Sequence, residues 1–168
     1  MDAQLFYAVL LLADIFVLFV VLSGAPYVPT SNKDVERMVG IALTHPSHRI
    51  AADIGAGDGR IVIALARQGI EAHGYEINPF LVWIANRKIR QAGVSNKACV
   101  RWKNFWNVNF APYDVITVFG ITQIMPKLEK KLQRELRPGS RVISSIFRFP
   151  NWKEVQTEGN LHVYERSE

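Results

Sequence analysis

The stretch ADIGAGDGR sets Asp53, Gly55, Gly57 and Gly59 in the pattern D-x-G-x-G-x-G, with a second acid at Asp58; Glu76 closes GYE, 18 residues beyond Asp58. Alternate glycines leave a turn bare of side chains, so a ligand can come close to the backbone. A helix beginning directly after such a turn adds unpaired N–H donors and a partial positive charge. Two ligand classes use this corner of an α/β sheet. A pyrophosphate rests on G-x-G-x-x-G. Here a single residue separates Gly57 from Gly59, and the two aspartates would repel a phosphate.

The same acids attract a ligand that carries an ammonium and a sulfonium. S-adenosylmethionine (AdoMet) is such a ligand, and its two ribose hydroxyls call for a carboxylate at the end of the next strand, where Glu76 stands. Hydrogen bonds to a charged partner contribute about 1.5–3 kcal/mol each. A tight strand-to-helix turn needs glycine whatever it binds. The acids, rather than the glycines, point to a cationic cofactor.

These residues must be held by strands and helices in alternation. A helix is expected over Lys33–Leu43, capped by Ser31 or Asn32 and ended by His45-Pro46-Ser47. Strands are expected at Arg49–Ile54, Glu71–Glu76, Ala98–Trp102, Asp114–Phe119 and Arg141–Phe149. Helices are expected at Ile61–Gln68, Pro79–Ala92 and Pro126–Leu136, the last with Lys127, Lys130, Lys131 and Arg134 facing outward. Lys153–Thr157 and Leu161–Arg166 flank Glu158-Gly159-Asn160 as a closing hairpin. The alternation predicts an α/β fold with a mostly parallel sheet covered on both faces.

Leu5–Leu22 is an apolar run of 18 residues broken only by Asp14, roughly the length that spans a hydrocarbon core of ~30 Å. A cleaved signal peptide normally opens with basic residues, which are absent here, and a buried core helix apolar on every side suits a small domain poorly. A retained single-pass anchor over residues 1–23 is the preferred reading. A linker and pre-domain helix follow at 24–48, and the catalytic domain occupies 49–168. Lys33 and Arg37 follow the run and nothing basic precedes it, which places the domain on the cytoplasmic (or matrix) side. The net charge of +5 suits an anionic membrane surface or a nucleic acid. The lone Cys99 forms no internal disulfide, and His45, His48, His73 and His162 lack metal-ligand spacing, so no metal site is expected.

From about Tyr27 onward the chain resembles the class I, seven-β-strand methyltransferases. More closely, it is similar to the single-span lysine methyltransferases of the mitochondrial adenine-nucleotide carrier and ATP synthase c subunit, with their prokaryotic relatives. The matching pieces are the apolar N-terminal segment, APYVPTSNKDVERM, ADIGAGDGRIVIALAR, GYEINPFLVWIA, and ELRPGSRVISSIF followed by a proline and Trp152. The resemblance implies a Rossmann-like, seven-stranded sheet with an antiparallel C-terminal hairpin. It implies that Gly55, Ala56, Gly57 and Gly59 line the methionine and ribose, Asp53 the amino-acid end and Glu76 the ribose hydroxyls. Ile77 would pack on the adenine. Asn104 takes the place of the family's acid at the adenine amino group, with Phe105 beside it. Tyr27 and Thr30 lie in the segment that folds over the cofactor, although Tyr27 also reads as an interfacial aromatic closing a membrane helix.

Methyl transfer is a direct displacement, so alignment matters more than an acid–base pair. In this fold the segment after the fourth strand faces the methyl; here it is FGITQIMP. It lacks the Asn/Asp-Pro-Pro-aromatic motif of amino-directed DNA methyltransferases, which argues against nucleic-acid base amines. Gly120, Thr122 and Gln123 are the acceptor-side candidates. The expected acceptor is a lysine on a membrane-associated protein, with the bilayer as a second partner. The alternatives are an RNA or small-molecule methyltransferase, for which VRWKNFW offers aromatics interleaved with Arg101 and Lys103, and a tethered AdoMet-binding protein without catalysis. VRWKNFW also reads, preferably, as a strand with one buried face.

Overall fold

The computed structural model describes residues 4–7, 9–11, 14, 29–44 and 49–167. Helix α1 (Asn32–Leu43) starts at Ser31, whose side chain accepts the Asp34 N–H, and it buries Val35, Met38, Val39, Ile41 and Ala42 on one face. Then come β1 (Ile50–Ile54), α2 (Arg60–Arg67), β2 (Glu71–Glu76), α3 (Pro79–Gln91), β3 (Ala98–Trp102), a 3-10 turn (Phe105–Asn107), β4 (Val115–Val118), α4 (Met125–Glu135), β5 (Arg141–Ser145), β6 (Glu154–Glu158) and β7 (Leu161–Glu165).

The strands form one seven-stranded sheet in the order β3-β2-β1-β4-β5-β7-β6. The first five are parallel, and β7 runs antiparallel to both β5 and β6. The strand order reverses between β1 and β4, the switch point where open α/β sheets bind ligands beyond their carboxyl ends. Alternation along the strands divides the core into two layers. Ala51, Val115, Ile143 and Val163 meet the layer that holds Met38, Val62, Leu65 and Ile89. Ile54, Ile116, Val142 and Tyr164 meet Phe110, Leu128 and Leu132 on the other face.

Two expectations change. The fifth strand, expected to reach Phe149, stops at Ser145, because Ile146 takes a left-handed φ of 68° that no strand continues through. Lys131 is not on the outer face of its helix. It is buried, donates to the Val108 carbonyl at 2.7 Å and the Glu135 carboxylate at 2.8 Å, and lies 5.3 Å from the Phe110 ring centre. Most of the expected anchor, with residues 24–28 and His45–His48, lies outside the described residues. Residues 4–7, 9–11 and 14 are helical, and among the described residues no helix is long and apolar enough to cross a membrane.

Candidate active site

The glycine turn between β1 and α2 has φ of 75° at Gly55, 52° at Gly57 and 78° at Gly59, values that favour glycine at each position. The N–H groups of Gly55 and Ala56 both reach the Tyr75 carbonyl, at 2.9 and 3.2 Å, which ties the turn to β2. A Cβ built on Gly55 meets nothing within 4 Å, so this glycine faces open space. A Cβ on Gly59 would come 3.0 Å from the Ala85 Cβ, so the third glycine lets α2 and α3 approach each other.

Glu76, buried at the end of β2, organises the other rim. One carboxylate oxygen accepts the Gly57 N–H at 3.0 Å, and the second accepts those of Ile77 and Asn78, both at 2.9 Å. Glu76 therefore fixes the turn and the entry to α3, while the oxygen that accepts from Gly57 keeps a lone-pair site for a further donor.

Asp53 is buried in β1 opposite Thr117 of β4, whose hydroxyl donates to its carboxylate at 2.7 Å. Burial pushes the Asp53 carboxyl up to about 7; the Thr117 hydrogen bond opposes the rise, and the charges of Glu76 and Asp58 add to it. Asp53 is thus poised to charge when a cation comes near. Asp58 behaves otherwise. Burial alone would raise it, but hydrogen bonds from Arg60 and Lys88 hold it well below the usual carboxylate range. Arg60 donates at 2.9 and 3.0 Å and Lys88 at 2.6 Å, so the charge of Asp58 is spent within the helices rather than on the turn.

The remaining candidates fall around this centre. Ile77 is exposed directly after Glu76, and its carbonyl accepts the Trp102 indole N–H at 2.9 Å. The Asn104 side-chain oxygen caps the 3-10 turn at the Trp106 N–H, 3.0 Å away, and Phe105 is half-buried against Trp106. Thr30 is buried, and its carbonyl accepts Arg60 Nη1 at 2.7 Å, which pins the segment before α1 to the glycine turn. Tyr27 lies outside the described residues. Beyond β4, Gly120 is buried, with room for a Cβ denied by Met125 Sδ at 2.6 Å, whereas Thr122 and Gln123 are exposed. Among the described residues no group of His, Cys, Asp and Glu is arranged to hold a metal ion. His73 instead meets Glu71 at 3.1 Å and the Tyr113 hydroxyl at 3.0 Å.

Sequence reasoning missed three contributors. Thr117 is a lone hydroxyl in the apolar strand VITV, and only the β1–β4 register brings it to Asp53. Gly74 lies under the turn, where a Cβ would sit 2.5 Å from that of Ala56; a glycine inside a strand was the available signal. The third is the wall beyond β4 and β5. There Phe119 and Phe147 meet edge to face at 6.2 Å, and Ile146 is exposed. Its strained backbone is held by Ile146 N–H donating to Asn160 O at 2.7 Å, Phe147 N–H to Ser145 O at 2.8 Å, and Ser144 Oγ to Phe147 O at 2.5 Å. A β-branched residue at positive φ is a genuine outlier, and such strain gathers at functional sites.

Residues 53–156 match the family described as "ANTKMT methyltransferase domain". The lysine N-methyltransferase of the ATP synthase C subunit in Mus musculus is 46% identical over 134 residues, which are 80% of this chain and 53% of the mouse protein. The chain thus spans little more than half the length of that relative. The "Protein-lysine N-methyltransferase" of Saccharolobus islandicus is 38% identical over 143 residues, 82% of this chain and 88% of that protein. Among solved structures, an RNA methyltransferase from Salinibacter ruber in complex with S-adenosyl-L-homocysteine superimposes with a TM-score of 0.77 at 32% identity, covering 84% of this chain and 95% of that one.

Proposed function

Since this chain belongs to the ANTKMT methyltransferase-domain family, we propose that it is an AdoMet-dependent protein-lysine N-methyltransferase acting on a membrane protein. The observation that carries the lysine reading is the similarity to the Saccharolobus islandicus protein-lysine N-methyltransferase over 88% of that protein's length.

The residues fit the cofactor. The turn is open where Gly55 would carry a side chain, and a buried carboxyl near neutrality stands on one side with the Glu76 carboxylate on the other. When bound, AdoMet supplies a methyl group activated by its sulfonium. In this reading Asp53, steadied by Thr117, holds the ammonium end, Gly55, Ala56, Gly57 and Gly59 form the floor, and Glu76 accepts from the ribose hydroxyls. Ile77 and Phe105 border the adenine, with Asn104 at its amino group, and Tyr27 and Thr30 close over the cofactor. On the acceptor side, Gly120, Thr122 and Gln123 border the approach. Phe119, Phe147 and Ile146 exclude water from it, and an ammonium stripped of water gives up its proton more readily, leaving the amine nucleophilic.

Residues 1–23 anchor the protein by a single pass in this reading, 24–48 link and cap, and 49–168 form the catalytic domain on the cytoplasmic or matrix side. Tethering raises the effective concentration of acceptors in the same bilayer. An RNA acceptor is the second reading, favoured by the exposed Arg101, Trp102 and Lys103 and by the similarity to the Salinibacter ruber RNA methyltransferase. The test is labelling with tritiated AdoMet in separated membrane, soluble-protein and RNA fractions, using wild type and Glu76→Ala. Label confined to membrane protein and lost in Glu76→Ala supports the proposal. Label in RNA, or none in any fraction while AdoMet binds, overturns it.

A further inference from the structure

Three large aromatic side chains stand in water along the carboxyl ends of β2 and β3, beyond Ile77. Phe80 is 58% exposed, Trp83 54% and Trp102 70%. Phe80 and Trp83 lie nearly parallel with ring centres 6.0 Å apart, and the Trp102 indole bonds the carbonyl of Ile77, three residues before Phe80 in the chain. Single exposed apolar residues are ordinary, but an aromatic patch with a polar rim marks a surface that meets something. The rim is cationic. The Arg87 guanidinium lies 5.8 Å from the Trp83 ring centre, and Lys103 is exposed one residue beyond Trp102.

We propose that this patch is a second membrane contact, built by the folded domain itself, that seats in the interfacial layer of an anionic bilayer and turns the cofactor cleft toward it. The inference rests on the membrane-side reading above but not on the identity of the acceptor. Tryptophan with basic neighbours is the composition that settles at headgroup depth, where the ring is half wet and the cation meets anionic lipid. The position agrees. Thr30 is held to Arg60, at the same carboxyl edge of the sheet, and the apolar run ends at Leu22, eight residues earlier. Eight residues span at most about 29 Å, so this edge stays close to whatever membrane holds the run. Trp102 could stack a base as well, but at Trp83 a base would compete with Phe80, whose ring centre is 6.0 Å away, and with Arg87 over the ring at 5.8 Å.

The test uses full-length protein reconstituted in vesicles of phosphatidylglycerol and acyl-brominated phosphatidylcholine, with tryptophan emission read against unbrominated vesicles. Two of the four tryptophans lie in the patch and none lies in the apolar run, so wild type should lose about half its emission to bromine. Trp83→Phe/Trp102→Phe, which keeps the patch apolar and the remaining two indoles in place, should lose little. Quenching should also fall when phosphatidylglycerol is omitted. Equal fractional loss in the two proteins, or no loss in either, overturns the proposal. So does quenching of the patch tryptophans by added RNA when bromolipid has no effect. No methyl transfer is read, so this result stands apart from the success or failure of the lysine reading.

Discussion

Replacing Thr117 by valine keeps the shape of the side chain and removes the 2.7 Å donation to the Asp53 carboxylate, together with a long 3.5 Å contact to the Ala52 carbonyl. In the native protein the bond to Asp53 opposes the effect of burial, and the carboxyl still titrates near 7. A hydrogen bond to a charged acceptor is worth about 1.5–3 kcal/mol, so its loss should carry the Asp53 midpoint to about 8–9. If only the ionised carboxylate holds the ammonium, the ionised fraction at pH 7.5 falls from about three quarters to between roughly a quarter and a few per cent, weakening AdoMet about 3- to 25-fold. The ratio of wild-type to variant affinity should be larger below pH 7 and decay towards one above about pH 9.5, because both proteins are then ionised. Titration calorimetry at a series of pH values reads this ratio directly, and the ligand's own titration cancels from it. A ratio that does not vary with pH would refute the coupling between Thr117 and Asp53. The sign of the stability effect follows from the same shift. A buried carboxyl raised from 3.8 to about 7 binds a proton in the folded state that the unfolded chain has released, so the ligand-free protein should lose stability as pH rises from about 4 to about 7, by an amount of order 4 kcal/mol.

Other substitutions separate the parts of the site. Glu76→Ala should weaken AdoMet about ten-fold or more and lower the melting temperature as well, because the Gly57, Ile77 and Asn78 N–H groups lose their shared acceptor; calorimetry and thermal melts in parallel check both. Gly74→Ala would bring a Cβ 2.5 Å from Ala56 and 2.7 Å from Val100, so it should destabilise by about 1–3 kcal/mol. Adding Ala56→Gly should restore part of that loss in a denaturant titration, and no restoration would contradict the steric account. Phe147→Ala opens the wall beside Phe119 and should raise the acceptor KM while leaving AdoMet affinity unchanged, which steady-state kinetics and calorimetry distinguish.

What the sequence revealed was local. The glycine turn, Glu76 at the end of its strand and the hairpin around Gly159 are short-range patterns, and all recur in the structure. What it hid depends on neighbours brought in by topology. The Thr117 bond to Asp53 joins residues 64 apart, and the spending of Asp58 on Lys88 joins residues 30 apart. Lys131 matched the charged face of its helix in periodicity, yet the Val108 carbonyl and the Glu135 carboxylate compensate its burial. The apolar run RVISSIF continues as a strand by composition, but the Asn160 carbonyl bonds the Ile146 N–H and helps turn the chain at that residue. Such partners leave no mark on spacing.

The central claim is that the cleft between Asp53 and Glu76 delivers a methyl group to a lysine side chain. The most direct measurement incubates full-length protein with methyl-tritiated AdoMet and membranes, hydrolyses the labelled protein to amino acids and separates them by chromatography. Radioactivity is expected in methylated lysine and should be absent with Glu76→Ala. Label in another amino acid, in nucleosides after digestion of the RNA, or equal label from Glu76→Ala would contradict it.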